Sequence, residues 1–534
     1  MRILGIVVVT TAIGLCWPTA AAIAQASQEQ QASKSEPGKD GAPRPIPAAK
    51  VFTSHHTGRF GDRTLPYTAT AGETYLNDEK GEPKASIFSF AYVAEGDRDQ
   101  SRRPVAFIWN GGPGSSSIWL HMGSMGPRRA LVPSDARDDG PPPYTIEDNT
   151  YALLDVTDLV FVDPVGTGFS HSLGKHEDKE FWGLNEDART MAEFIRAWIT
   201  RNRRWPSPKY LIGESFGTTR AAAVAGLLEG GSAAISLNGL ILISQALDYT
   251  GSTPAPDNVI AFVTYLPTMA ATAWYHNKVK DRPASLEEFL RQARAFAVDE
   301  YAPALFKGQR LDEATRTRIA ERLTYFTGLS KEYVLRADLM ILADRFRKEL
   351  LRSEGKAIGR IDGRYAGNDM DDVGERPEGD ASSYGVDSAY AATFSQYLAT
   401  ELNVDMDRDY AFSGGRQLGS QWNWKPVPAT QSWEPSYVNV ARDLSRALRR
   451  NSGLRVMVAS GYFDFATPFF DAEYTFARHA ILPERITMTY YEAGHMMYLH
   501  RPSLERLMAD ARAFIRAGSG AGTSSVTTPP AAVK

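Results

Sequence analysis

Gly213-Glu214-Ser215-Phe216-Gly217 lies between the apolar run Tyr210-Leu211-Ile212 and the Ala- and Leu-rich stretch from Thr218 to Glu229. A short apolar run suits a buried strand, and the stretch that follows suits a helix. The pentapeptide is therefore a strand-to-helix turn of the form G-x-S-x-G, a sharp corner that presents a serine hydroxyl. Glycine at 213 and 217 fits such a corner, because a side chain at either place would meet neighbouring backbone. Ser215 is the candidate nucleophile.

Reading outward, similar runs recur at Val105-Ala106-Phe107-Ile108-Trp109, Leu159-Val160-Phe161-Val162, Gly239-Leu240-Ile241-Leu242-Ile243 and from Leu454 to Ala459. Runs without polar alternation suit strands covered on both faces, as in a parallel sheet. Met191, Ile195, Trp198 and Ile199 fall at helical spacing and predict a helix from Glu186 to about Thr200, with Asn185 as its N-cap. Strand alternating with helix indicates an α/β fold with a mostly parallel central sheet. Residues 65–95 carry partly alternating segments broken by the turn Asn77-Asp78-Glu79-Lys80-Gly81, which predicts antiparallel hairpins at the start of the sheet.

From 251 to 425 the rhythm changes. Ser285 and Glu288 form a capping box for a helix through Phe296, a second helix runs from Asp312 to Phe326 ahead of Gly328, and a third from Lys331 to Leu351. This is a mainly helical insertion between two parts of one core, 51–250 and 426–517. A strand signal returns at Arg485 to Tyr490, and a last helix covers about Ser503 to Ala517.

The ends read differently. Arg2, the apolar stretch Ile3 to Trp17 and Ala22-Ile23-Ala24 make residues 1–24 a cleavable export signal. Residues 25–50 read as a disordered leader and 518–534 as a disordered tail. A periplasmic or secreted product, free of the membrane after cleavage, is expected. The 534-residue chain has 43% hydrophobic and 23% charged residues, as a soluble globular protein does. Its net charge of −4 gives no support to a nucleic-acid partner. Cys16 is the only cysteine and falls in the signal, which excludes cysteine nucleophiles, disulfides and thiolate metal sites from the cleaved chain. Nothing in the sequence speaks to oligomeric state.

A serine hydroxyl needs a base within hydrogen-bond reach, and the base needs a third group to orient it. Asp464, in Ser460-Gly461-Tyr462-Phe463-Asp464, and His495, in Glu492-Ala493-Gly494-His495-Met496, each sit just past a predicted strand. The order Ser, Asp, His is that of α/β-hydrolases. Of the nine histidines, the others lack this setting, and His495 and His500 do not form an H-E-x-x-H zinc pattern. Asn110-Gly111-Gly112-Pro113-Gly114 directly follows the strand at Val105, where that fold places an oxyanion donor. The backbone N–H groups of Gly112 and Phe216 are the candidate oxyanion hole.

Asn110 to Ser116, Asp163-Pro164-Val165-Gly166-Thr167-Gly168-Phe169-Ser170, the turn at Ser215, Gly461 to Asp464 and Ala493 to Met496 together resemble the serine carboxypeptidase family, peptidase family S10, as an exported bacterial member. The resemblance spans residues 105–500 and implies an α/β-hydrolase core with a helical cap. It also implies removal of C-terminal residues from peptides with a free C-terminus, with no cofactor and no metal. It maps Ser215, Asp464 and His495 onto the catalytic triad. Asn110 and Glu214 map onto recognition of the terminal carboxylate. A glutamate donates a hydrogen bond to a carboxylate only while protonated, so turnover favouring acidic pH is expected.

The chain departs from the family where many members have a cysteine, here Ser115, and where a further glutamate is common, here Ser124 ahead of Met125-Gly126-Pro127. The second departure leaves an esterase, amidase or acyltransferase on the same triad as an alternative, and a non-catalytic binding protein as a second. The acidic stretch from Asp369 to Gly374 lacks the ligand pattern of a calcium loop and reads as a solvated loop. Trp422, Trp424, Tyr462 and Phe463 read as core packing.

Overall fold

The apolar runs around Ser215 form the centre of one ten-stranded sheet. Its principal strands are β1 (Val51–Phe60), β2 (Arg63–Asn77), β3 (Pro83–Ala94), β4 (Val105–Trp109), β5 (Asp158–Val162), β6 (Lys209–Glu214), β7 (Gly239–Ile243), β8 (Arg455–Gly461) and β9 (Ile486–Tyr491). They lie in the order β1-β2-β3-β5-β4-β6-β7-β8-β9, with His171–Ser172 pairing beside β3. The first three strands form antiparallel hairpins, and β3 meets β5 antiparallel. Every pairing from β5 to β9 is parallel. The computed structural model describes residues 46–96, 101–230, 234–384, 386–425 and 437–519. The expected signal, the expected leader as far as 45 and the expected tail from 520 lie outside these residues. The elements described here all belong to the compact unit that begins at Pro47.

Side chains alternate across the sheet, and both faces are covered. Val105, Phe107 and Trp109 of β4 enter one apolar cluster with α1 (Leu184–Arg201) and α2 (Phe216–Leu228). Ala106 and Ile108 enter the other, together with residues of α8 (Val386–Thr400) and α9 (Arg501–Gly518). A third apolar cluster belongs to the helices α3 (Val259–Tyr275), α4 (Leu286–Phe296), α5 (Glu313–Thr327), α6 (Lys331–Arg336) and α7 (Ala343–Glu349). This cluster reaches the sheet through Tyr462, Phe463, Phe465 and Phe469. From α8 onward the expected insertion packs against the sheet, with Tyr390, Phe394 and Tyr397 in the β1–β3 cluster.

Several local expectations change. The helix α1 starts at Leu184, and Asn185 lies within its first turn. Gly183 is extended and bridges Asn423, so the helix begins where that contact ends. The stretch from Lys331 to Leu351 is two helices, because Asp338 and Leu339 have positive φ and the Leu339 carbonyl is held by the Tyr301 hydroxyl at 2.6 Å. Residues 47–50, expected in the leader, are tied to β2: Lys50 exchanges hydrogen bonds with Glu73, and Tyr75 donates to the Pro47 carbonyl. Ser285, by contrast, caps α4 through Glu288 N–H, and Gly328 closes α5 in the left-handed conformation.

Candidate active site

Strand register brings the sequence candidates together. Trp109 pairs with Gly213 across β4 and β6, so Asn110, just past β4, and Glu214, the last residue of β6, come side by side. Gly461 pairs with Tyr491 across β8 and β9, so the loops carrying Asp464 and His495 leave the sheet together. All four loops lie at the carboxyl ends of parallel strands, where open α/β sheets form their crevices.

The turn at Ser215 is a strained corner. Ser215 has φ +60° and ψ −130°, a conformation L-residues rarely adopt, and it caps α2. Its N–H is held by the Ile243 carbonyl at 3.0 Å, and its carbonyl accepts the Thr218 N–H at 2.8 Å and hydroxyl at 2.7 Å. The glycines answer to close approach. A Cβ at Gly213 would strike the Gly217 carbonyl, and one at Gly111 would fall 2.6 Å from the Phe216 nitrogen. The Asn110–Gly114 loop therefore lies directly against the first N–H of α2.

His495 Nδ1 lies 2.7 Å from Asp464 Oδ2. Asp464 is fully buried and takes three further donors: Ala466 N–H, Thr467 N–H and the Thr467 hydroxyl, at 2.7, 2.9 and 2.7 Å. The same hydroxyl is 3.1 Å from His495 Nδ1. The His495 backbone is fixed by the Ile361 carbonyl at 2.6 Å and the Ser244 hydroxyl at 2.7 Å. Burial alone pulls the imidazole pKa down. The Asp464 charge and hydrogen bond, joined by Glu214, outweigh it and hold His495 above its ordinary 6.5.

Glu214 is buried and accepts the Tyr498 hydroxyl at 2.8 Å. Burial pushes its carboxyl up to about 7, against the opposing pull of His495, Tyr498 and Asn110. Asn110 Oδ1 accepts Leu120 N–H at 3.0 Å, while its Nδ2 is buried without a hydrogen-bond partner. That nitrogen is near enough to favour the Glu214 anion but is not placed to bond it.

Asn110, Gly112, Glu214, Ser215, Phe216 and His495 line one cavity of about 560 Å³, with Asp464 directly behind His495. Trp424, expected as core, lines it too and packs edge-on to Phe216 at 5.8 Å. Trp422 remains in the core against the same ring, and Tyr462 and Phe463 belong to the third apolar cluster. Ser124 is buried in the turn before Gly126, donates to the Leu120 carbonyl at 3.3 Å and does not line the cavity.

This loop arrangement agrees with what other proteins share with the chain. The family model described as serine carboxypeptidase matches residues 65–293. Over those residues, less than half of its length, the chain is similar to the serine carboxypeptidase family. Serine carboxypeptidase-like 34 of Arabidopsis thaliana is 28% identical over 158 residues, 29% of this chain and 29% of the relative. Serine carboxypeptidase-like 40 of the same plant is 30% identical over 132 residues, 24% of each chain. These matching stretches thus span under a third of either relative's length. The solved structure of Kex1(delta)p, a prohormone-processing carboxypeptidase from Saccharomyces cerevisiae, superposes with a TM-score of 0.53 at 16% identity, over 85% of this chain and 92% of that one, a likeness of fold. The family match holds Asn110, Gly112 and the Ser215 turn. Asp464 and His495 lie beyond it and join them only through the fold.

Sequence reasoning missed several residues. Thr467, three after Asp464, has the spacing of a local side-chain turn and was open to discovery. Arg220 is the lone charge on the apolar face-to-face helix α2, a signal in itself. It bonds Asp187 at 2.6 Å and the Asn110 carbonyl at 2.8 Å. Tyr498 and Arg360 carry no pattern that separates them from their neighbours.

Proposed function

We propose that the chain is a serine-type carboxypeptidase that releases C-terminal residues from peptides through an acyl-enzyme on Ser215. The observation that carries this reading is the single cavity where the Ser215 turn, the His495–Asp464 pair and the Asn110–Glu214 pair converge. Ser215 attacks the terminal peptide carbonyl as His495 takes its proton, and Asp464 orients the ring and stabilises the imidazolium. The N–H groups of Gly112 and Phe216 receive the negative charge of the tetrahedral intermediate. His495 then protonates the departing amine, and water attacks the acyl-enzyme by the reverse sequence.

Asn110 Nδ2 and protonated Glu214 hold the terminal carboxylate as hydrogen-bond donors. A carboxyl raised to about 7 remains a donor through the mildly acidic range, so turnover is favoured there. Among the described residues no helix is long and apolar enough to cross a membrane and no acidic or histidine cluster is set to hold a metal. The residues 1–24 support export to the periplasm or exterior, and the insertion at 251–425 supplies the helical cap.

The test compares a blocked dipeptide with its C-terminal amide, alongside fluorophosphonate labelling of Ser215. Labelling with strong preference for the free acid is expected. Labelling with equal turnover of acid and amide, or turnover of esters alone, would move the assignment to an esterase or amidase.

A further inference from the structure

Arg360 is the one lysine or arginine that lines the active-site cavity among the described residues. Its place is set by its backbone. The N–H groups of Arg360 and Ile361 donate to the two oxygens of Asp380, at 2.9 and 3.2 Å. The Arg360 carbonyl accepts Phe465 N–H at 3.0 Å, and the Ile361 carbonyl accepts His495 N–H at 2.6 Å. The segment is thus stapled to both loops that carry the Asp464–His495 pair, and the Arg360 charge reaches His495, whose pKa it pulls down.

The guanidinium itself is exposed and makes no hydrogen bond or ion pair with the described residues. Asp380 serves backbone N–H groups and Ser382 instead. Two acids line the cavity as well. Glu214 lies beneath, already bonded by Tyr498. Asp387 stands at the start of α8, where the cavity adjoins a second one lined by Gly112 and Trp119, and no ion pair joins it to Arg360. A planar cation held at the wall of a peptide-sized cavity fits a carboxylate in bidentate fashion.

We propose that Arg360 is a specificity-determining residue that favours peptides with an acidic side chain beside the scissile bond. This rests on the carboxypeptidase reading. The terminal carboxylate is held separately, by Asn110 and Glu214.

Matched blocked dipeptides test it, with Glu or Gln as the departing residue in one pair and as the residue before it in another. They are assayed at pH 6 with the wild type, Arg360→Gln and Arg360→Lys. In one pair at least, the wild type should prefer Glu by about tenfold in kcat/KM, chiefly through KM, as a partly screened charge-assisted contact allows. Arg360→Gln should bring that ratio to about one and leave the Gln peptide within about threefold, while Arg360→Lys keeps part of the preference. The pair affected identifies the side of the bond that Arg360 reads. The proposal is overturned if both ratios are unchanged in Arg360→Gln, or if Glu and Gln peptides weaken equally, as they would if Arg360 held the terminal carboxylate. No turnover of any peptide by the wild type would overturn the carboxypeptidase reading and this proposal with it.

Discussion

Glu214→Gln isolates the acid that the proposed function assigns to recognition of the terminal carboxylate. In the wild type the side chain gives up its proton at about 7 because burial disfavours the anion. Above that pH it is a carboxylate facing a carboxylate. The kcat/KM for a peptide acid should then fall about tenfold per pH unit, while the C-terminal amide is spared. Glutamine donates at every pH, so the variant should lose this falling limb and, at pH 5, stay within about tenfold of the wild type, the worth of one altered hydrogen bond. The rising limb set by His495 should remain, since Glu214 is uncharged below about pH 7. The two groups are coupled, so the limbs are properties of the pair. Stability gives a second reading of the same proton. Between pH 4.5 and 7 the unfolded chain releases it and the folded chain keeps it, so stability falls as pH rises through that window and no further above it. The span of 2.5 pH units between 4.5 and about 7, at about 1.36 kcal/mol each, amounts to about 3 kcal/mol. Urea unfolding at pH 4 and pH 8 should therefore show Glu214→Gln gaining about 3 kcal/mol on the wild type between the two. A falling limb near pH 7 that persists for the peptide acid in Glu214→Gln would refute the reasoning.

Four further substitutions bear on the framework. Ser215→Ala should abolish both turnover and fluorophosphonate labelling, whereas Asp464→Asn should lower kcat by roughly 10³–10⁴ with KM little changed, measured by initial rates. Gly111→Ala drives a Cβ to within 2.6 Å of the Phe216 nitrogen, backbone that cannot swing aside, and should cost about 1–3 kcal/mol in urea unfolding along with most of kcat. Arg220→Met leaves Asp187 buried without its cation and frees the Asn110 carbonyl, and should cost about 3–5 kcal/mol. The double variant Arg220→Met/Asp187→Asn should recover part of that loss, and a single variant within about 1 kcal/mol of the wild type would show that the ion pair does not hold the loop.

The parts of this architecture that sequence reveals are those in which chemistry and local geometry coincide. A strand-to-helix corner that needs glycine on both sides of a serine announces itself, and the apolar runs of β4, β6 and β7 are buried on both faces and so lack any polar interruption. The pattern fails where a tertiary contact overrides a local preference. Asn185 is a good N-cap by type, yet the bridge between Gly183 and Asn423 sets the helix start two residues earlier. The Lys331–Leu351 stretch is apolar at helical spacing, yet Asp338 and Leu339 turn it back on itself. Trp424 resembles Trp422 in composition and neighbourhood, and only the fold puts one at the cavity wall and the other beneath it. The α8 segment reads as part of the helical insertion, because nothing local distinguishes a helix that packs on a sheet from one that packs on other helices.

The two acids beside His495 show how a folded site separates like groups. Asp464 and Glu214 are both buried and both act electrostatically on the same imidazole. Asp464 collects four donors, two of them backbone N–H groups of its own turn, and these replace the water that an anion loses on burial. Glu214 collects the Tyr498 hydroxyl alone, and the nearby Asn110 nitrogen does not bond it, so burial prevails and the proton stays until about pH 7. The division of labour follows from that difference in donors. One acid is held by its donors against the imidazole it orients, and the other keeps its proton and, in the proposed function, donates it in a hydrogen bond to an anionic substrate. Adding donors to Glu214 would therefore weaken the site, since each would favour the charge that recognition of a carboxylate cannot tolerate.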